Sequence, residues 1–181
     1  MLETVPPELD ALDETEADAL AFGIFDDVRP FRGLADLVDW RMAGRLSRLA
    51  TEAFVQGSWL EPVLMPGKPE LPFGKIVVVG LGSSTEFDEA RARESTEFLR
   101  RVLEGLGVAH AVVELPGRAT DALRPEIGVS IALATFGPSS SGAPTSGTDR
   151  GTMTVRLFDG ARAKELLRAH ADAERMRRRI P

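Results

Sequence analysis

Short apolar segments alternate with longer amphipathic segments along the chain, and this pattern predicts strands interleaved with helices. The strongest strand signal is KIVVVGL at residues 75–81, a continuous apolar and β-branched run that is typical of a strand covered on both faces. The other predicted strands are residues 19–25, 60–65, 108–115, 127–133 and 153–157. This order predicts an α/β fold in which helices flank a mixed, largely parallel sheet.

Apolar residues at three- and four-residue steps predict the helices. The first predicted helix carries such a stripe at Leu34, Leu37, Val38, Met42, Leu46 and Leu49. The second begins near Ser84 or Thr85, either of which is a suitable N-cap, and the third covers residues 161–178. Because the second helix joins two predicted strands, we expect a right-handed crossover between parallel neighbours there.

Two segments show neither the apolar runs that predict strands nor the three- and four-residue apolar steps that predict helices. Residues 1–16 are acidic and poor in apolar side chains, which predicts a flexible lead-in followed by one α/β domain at residues 17–181. Residues 137–151 (GPSSSGAPTSGTDRG) form a low-complexity stretch that is long for a connection inside a compact domain. Disorder, a lid and a contact with a partner are all compatible with that stretch.

Composition and charge narrow the function classes. The 181 residues include no cysteine, which excludes disulfides, thiolate metal ligands and a cysteine nucleophile. The net charge of −6 argues against binding of nucleic acid, whose phosphates need clustered lysine and arginine. No apolar run approaches the roughly 20 residues that a membrane-spanning helix needs, and the acidic N-terminus lacks the features of a secretory signal. We therefore expect a cytoplasmic protein that does not contact a membrane.

The turn after the strongest strand is the first candidate site. It reads Gly80-Leu81-Gly82-Ser83-Ser84, and backbone amides between a strand and a helix are suited to hold a phosphate. The dinucleotide-binding pattern needs a third glycine where Thr85 stands, and no P-loop lysine follows, so a plain tight turn is the alternative. The candidate ligand-binding residues are Gly80, Gly82, Ser83, Ser84, Gly137, Ser139, Ser140 and Gly142.

A basic stripe on the first helix is a candidate partner-binding surface. It consists of Arg41, Arg45 and Arg48, which lie opposite the apolar stripe. An acidic partner, a phosphate and solvent alone are the alternatives for what this stripe contacts. His110 and His170 have no second histidine at helical spacing, and there is no nucleophile elbow. The sequence therefore predicts no metal site, no cofactor and no catalytic residue.

Three segments of the chain carry a family resemblance. They are DALAFGIFDD at residues 18–27, KIVVVGLGSSTEFD at 75–88 with the helix EARARESTEFLRRVLEGLG after it, and the closing TMTVRLFDGARAKELLRAHADAERMRRR. In this order and spacing they resemble the N-terminal domain of the leucyl (cytosol) aminopeptidase family, over roughly residues 17–178. The resemblance implies a macro-domain-like fold, which is a three-layer sandwich of helices on a sheet.

In complete members of that family a second domain performs the peptidase chemistry, with two metal ions, a lysine and several acidic ligands. The NTDAEGR segment of that domain is absent from this sequence, so the resemblance transfers no catalytic or metal-binding residue to this chain. The macro-domain likeness implies ligands of the ADP-ribose type. The family's hexamers form mainly through the catalytic domain, so the resemblance implies no particular assembly here.

Several hypotheses for function follow. The leading one is a non-catalytic interaction or regulatory module that binds a protein partner or a second copy of itself. The second is a small-molecule binder for ADP-ribose or a similar nucleotide, held by the turn at residues 80–84 and the segment at residues 137–142. A third is an enzyme that hydrolyses ADP-ribose derivatives, for which the sequence offers no poised nucleophile or base. An accessory piece of a metallo-aminopeptidase is a further alternative.

Overall fold

One six-stranded sheet organises the computed structural model, which describes residues 2–137 and 153–177. The strands are β1 (Glu3–Val5), β2 (Ala19–Ile24), β3 (Pro62–Pro66), β4 (Lys75–Gly80), β5 (His110–Val113) and β6 (Thr154–Phe158). Their spatial order is β1-β6-β5-β2-β4-β3, and every neighbouring pair is parallel except β3 with β4. The predicted mixed, largely parallel sheet is therefore confirmed.

Helices cover both faces of the sheet. They are α1 (Leu9–Asp13), α2 (Leu34–Arg41), α3 (Arg45–Thr51), α4 (Glu89–Gly105), α5 (Pro125–Phe136) and α6 (Ala161–Arg177). Successive strand side chains point to opposite faces, so Leu20 and Phe22 of β2 pack with α1, α2 and α3, whereas Ala19 and Ala21 pack with α4, α5 and α6. None of the helices in the described part of the chain is long and apolar enough to cross a membrane.

A crevice forms where the chain leaves the sheet in opposite directions. After β2 the chain passes to α2 on one face, and after the adjacent parallel strand β5 it passes to α5 on the other face. In open α/β sheets, ligands bind outside the carboxyl ends of strands at such a switch point. The carboxyl ends of β2 and β5 are therefore the expected location of a ligand-binding site.

The structure differs from the predicted flexible lead-in over residues 2–16. Strand β1 pairs with β6 in parallel register, and α1 places Leu12 in the core with no exposed surface. Val5 is buried beside it. Two apolar anchors and a strand ladder are enough to order this acidic segment, although its average composition is that of a disordered one.

The predicted strand at residues 127–133 is wrong, because this segment lies in helix α5. Its buried residues include Gly128, Ile131, Ala132 and Thr135, which follow the spacing of one helix face. Pro125 stands in the first turn, where a proline favours a helix. Apolar and small residues alternate here, so the sequence matched the strand period and the helix period at once.

The predicted helix at residues 34–49 is two helices. The chain breaks between α2 and α3, where Ala43 and Gly44 have φ angles of 52° and 75°. The apolar stripe continues across the break, since Leu34, Val38 and Leu46 are all buried. The break therefore does not interrupt the core.

The two edges of the sheet differ. At one edge, β3 contains Pro62 and Pro66, which oppose Val79 and Lys75 of β4. A proline has no N–H to donate and is confined to edge strands, with the missing donor on the solvent side. At the other edge, β1 contains no proline.

A crevice at the carboxyl edge of the sheet

A small cavity lies in the crevice between β2 and β5. Its volume is about 20 Å³, and the residues around it include Phe25, Phe31, Leu81, Glu114 and Thr120. A cavity of this size holds about one water molecule. The groups that fill the rest of the crevice belong to the chain itself.

Glu114 occupies the centre of the crevice. It follows β5 directly, its N–H donates to the carbonyl of Ala21 at 2.9 Å, and only 5% of the residue is exposed. Its Oε1 accepts the N–H of Leu34, the first residue of α2, at 3.0 Å. A helix N-terminus favours an anion, so this carboxyl group lies where a ligand phosphate would bind.

Burial raises the pKa of Glu114 to about 8, and the nearby Asp159 carboxylate also raises it. The N–H of Leu34 and the charge of Arg118 lower the same pKa but do not outweigh burial. At neutral pH the side chain is therefore mostly protonated. Gly33 allows this contact, because a Cβ at that position would overlap Oε1 of Glu114.

An ion pair fixes the loop on one side of the crevice. Arg118 donates from Nε and Nη2 to the two carboxylate oxygens of Asp159, at 2.9 and 3.0 Å, and from Nη1 to the carbonyl of Leu123 at 2.5 Å. The two charged side chains are 13% and 10% exposed. This pair joins the loop after β5 to the end of β6.

The Gly80 turn is covered by the loop at residues 57–61. Leu60 donates its N–H to the carbonyl of Gly80, and Gly80 donates to the carbonyl of Glu61, both at 2.9 Å. A Cβ on Gly80 would overlap the carbonyl oxygen of Ser58, and Gly82 has a φ angle of +67°. Close backbone approach accounts for Gly80, and the positive φ angle accounts for Gly82, so neither glycine needs a ligand to explain it.

The donors of Ser83 and Ser84 are bound by Asp27. The N–H of Ser84 donates to Asp27 Oδ1 at 2.9 Å, and both serine hydroxyls donate to Oδ2 at 3.0 Å. The N–H of Ser84 is the main cause that holds the pKa of Asp27 below its ordinary value. These donors belong to a short 3₁₀ turn, and α4 begins later, with Asp88 as its N-cap.

We expect Gly80→Ala to lower the free energy of unfolding by about 1–3 kcal/mol, because the new methyl group displaces the backbone of Ser58. Urea unfolding followed by circular dichroism measures the change. Gly105→Ala in helix α4 is the control for an added methyl group without a clash, because a Cβ there meets no atom within 4 Å, and it is expected to be neutral or slightly stabilising. A Gly80 variant as stable as that control would show that the loop at 57–61 does not seal the turn.

The structure does not bring the two halves of the predicted ligand site together. Gly80, Gly82, Ser83 and Ser84 lie at the carboxyl edge of the sheet. Gly137 follows α5, which runs from the carboxyl end of β5 towards the amino end of β6, so it lies at the opposite edge. Ser139, Ser140 and Gly142 fall outside the described residues.

The predicted basic stripe is divided between two helices. Arg41 of α2 forms an ion pair with Asp13 of α1, and Arg48 of α3 donates to the carbonyl of Ala43 at 3.0 Å. Arg45 lies at the start of α3 and is half-buried. Among the described residues, no three His, Asp or Glu side chains are placed to hold a metal ion.

Three features of the molecule were not found from the sequence. Glu114 carries no motif, and its contact with Leu34 joins residues 80 positions apart. Trp40 and Phe54 are each 69% exposed in the layer of α2 and α3. Trp40 falls off the apolar stripe of its helix, and this offset is a signal that the sequence does contain.

The chain is similar in sequence to the N-terminal part of a known peptidase family. Residues 21–136 match the model of the cytosol aminopeptidase family, N-terminal domain. A probable cytosol aminopeptidase from Synechocystis sp. is 27% identical over 106 residues, which is 59% of this chain and 22% of that protein. The chain thus spans about a fifth of the length of that relative.

Solved structures show the same fold at low sequence identity. A mutant of tomato leucine aminopeptidase matches with a TM-score of 0.61 and 19% identity, over 89% of this chain and 33% of that one. The Trypanosoma brucei macrodomain in complex with ADP matches with a TM-score of 0.66 and 15% identity, over 93% of this chain and 67% of that one. The expected macro-domain-like sandwich is therefore confirmed.

Proposed function

Because the chain belongs to the cytosol aminopeptidase family through its N-terminal domain, we propose that it is a non-catalytic module that engages a protein partner. The matched domain is not the one that carries the family's peptidase chemistry. The same proposal places the module in the cytoplasm and gives it no metal ion and no cofactor.

The observation that carries the proposal is the occupation of the crevice by the chain's own groups. Small-molecule sites typically enclose about 300–1,000 Å³, whereas this cavity is about 20 Å³. Glu114 lies at the N-terminus of α2, and Asp27 binds the donors of the Gly80 turn. Both groups stand where an anionic ligand would need its hydrogen bonds.

The exposed aromatic side chains favour a protein partner over a free-standing structural role. Trp40 and Phe54 expose more than two thirds of their surface on one layer of the sandwich. Tryptophan and phenylalanine are enriched at protein interfaces, and tryptophan is frequent among the residues that contribute most to binding energy.

The alternative of an ADP-ribose or nucleotide binder is favoured by one neighbour, the macrodomain in complex with ADP. We expect no change in melting temperature with ADP or ADP-ribose at about 1 mM. A ligand whose Kd is a hundredfold lower than its concentration would stabilise the protein by about 2.7 kcal/mol, or roughly 5–10 °C for a chain of this size. A shift of that size would replace our proposal by this alternative.

The partner itself is tested by affinity capture with the tagged chain from native lysate, read by quantitative mass spectrometry. We expect one protein in near-equimolar amount. A folded bait that retains no protein at such a ratio contradicts the proposal. The bait's fold is checked by its cooperative melting in the same buffer.

A further inference from the structure

Residues 56–61 cross the carboxyl edge of the sheet between helix α3 and strand β3, and we call this segment the strap. Three backbone hydrogen bonds, each at 2.9 Å, join the strap to the Gly80 turn. They run from Leu60 to the carbonyl of Gly80, from Gly80 to the carbonyl of Glu61, and from Gly82 to the carbonyl of Gly57. The strap therefore binds the N–H groups of two residues of the turn.

The N–H groups of the turn alternate between two partners. Leu81, which lies between Gly80 and Gly82, donates to the carbonyl of Ile24 in β2 at 2.8 Å. Alternate residues of a strand direct their N–H groups to the same neighbour, so Gly80 and Gly82 face the strap while Leu81 faces β2. The strap can therefore separate from the turn without breaking a hydrogen bond between Leu81 and β2.

Few contacts hold the strap in place. Its buried residue is Gly57, and its largest side chain, Trp59, lies under the guanidinium carbon of Arg91, which is 5.0 Å from the ring centroid. The N–H groups of residues 56–59 donate to no acceptor among the described residues. A segment with few buried apolar side chains and unused backbone donors is expected to open independently of the core.

Two features make the closed strap costly. Leu60 has a φ angle of +56°, and L-residues other than glycine are strained in this left-handed region. The Oε2 atom of Glu61 is removed from solvent and has no hydrogen-bond partner within residues 2–137 and 153–177. A buried polar atom without a partner loses the hydration that it would have in an open segment. Both costs are relieved when the strap leaves the turn.

We propose that the strap is a displaceable cover, which detaches from the Gly80 turn while the sheet stays folded, and that the strained backbone of Leu60 favours this detachment. The closed strap binds the N–H groups of Gly80 and Gly82, and the open strap releases both together. Backbone strain of this kind clusters in switch regions and clamps. The strap thus determines whether these donors are available to another acceptor. The inference goes beyond the proposed function, and neither depends on the other.

Amide hydrogen exchange of the isotope-labelled full chain, followed by NMR, tests the detachment. Dividing the intrinsic exchange rate of each amide by its measured rate gives a protection factor. We expect Gly80 and Gly82 to be at least about tenfold less protected than Leu81. Equal protection of all three would overturn the proposal, because the strap would then open only with the sheet. Low protection of Gly82 alone would also overturn it, because a detached strap releases both donors.

Val78 distinguishes detachment of the strap from fraying of the edge strand β3. It lies two positions before Gly80, so its N–H faces β3, where its register partner is Val63. We expect Val78 to be protected as well as Leu81. Protection of Val78 as low as that of Gly80 would overturn the proposal, because the whole of β3 would then open.

The strain is tested by comparing Leu60→Gly with Leu60→Ala. Both variants lose the isobutyl group, but only glycine adopts the left-handed conformation without strain. We expect the amides of Gly80 and Gly82 to be about fivefold better protected in Leu60→Gly than in Leu60→Ala. Equal protection in the two variants would overturn the proposed role of Leu60.

Ala53→Gly is the matched control. Ala53 is exposed and has a φ angle of +59°, but it follows α3 and precedes the buried Val55, so it lies outside the strap. Relieving the strain there should leave the protection of Gly80 and Gly82 unchanged. A gain at these two amides equal to that in the Leu60 comparison would overturn the proposal, because the end of α3 and the strap would then open as one unit.

Discussion

Replacing Asp159 with alanine is expected to lower the free energy of unfolding by about 3–5 kcal/mol. The carboxylate binds Arg118 through two hydrogen bonds, and both side chains are nearly removed from solvent. Without it the guanidinium keeps its hydrogen bond to the carbonyl of Leu123 but loses both of its bonds to the carboxylate. Urea unfolding of Asp159→Ala beside the unchanged chain measures the loss.

The double variant Arg118→Leu/Asp159→Leu tests whether the stability loss in Asp159→Ala comes from an unpaired buried charge or from lost packing. Replacing a buried ion pair by apolar residues is often neutral or stabilising, so we expect this variant to be more stable than Asp159→Ala. If the double variant were the less stable of the two, the pair would contribute through its own attraction. If Asp159→Ala unfolded like the unchanged chain, the pair would not hold the loop.

Stability is expected to decline as pH rises from about 5 to about 8, and Glu114→Gln is expected to flatten this decline. Burial raises the pKa of Glu114 from 4.5 to about 8 in the folded chain. Between these values the unfolded chain has lost a proton that the folded chain retains. The stabilisation is complete below the lower pKa and disappears as pH rises through the upper one, with a slope of up to about 1.4 kcal/mol per pH unit.

Glutamine is nearly the same size as glutamic acid and still accepts the N–H of Leu34, but it does not titrate. The free energy of unfolding of Glu114→Gln and of the unchanged chain should therefore converge at low pH and diverge towards pH 8, with the variant more stable. Glu52→Gln, at an exposed position, is the control. Parallel profiles for Glu114→Gln and the unchanged chain would show that Glu114 is ionised in the folded protein.

The fold was predictable where one periodicity dominated. The run at residues 75–81 is β4 almost to the residue, and the predicted final helix at 161–178 is α6. Prediction was wrong at α5, where glycine and alanine between larger residues satisfied two periods at once. It also missed the ordered N-terminus, because average acidity concealed the two positions that anchor it, Val5 and Leu12.

The crevice was not predictable in the same way, because its contacts join distant parts of the chain. Glu114 is one of 28 acidic residues, and only the fold brings it to the N–H of Leu34. Asp27 reaches Ser84 across 57 positions. For the Gly80 turn, the sequence left a plain tight turn and an anion site as alternatives, because no local pattern reveals that an internal carboxylate, Asp27, binds the donors of Ser83 and Ser84.

The two prolines of β3 have a consequence for stoichiometry. A sheet that admits an additional strand at both edges can grow without limit, and exposed edges are a common route to aggregation. Pro62 and Pro66 obstruct one edge of this sheet, so growth by backbone pairing is confined to β1. If two copies of the chain were to pair through β1, strands with Pro62 and Pro66 would lie at both outer edges of the joined sheet. We therefore expect any self-association through β1 to give closed pairs of chains rather than filaments.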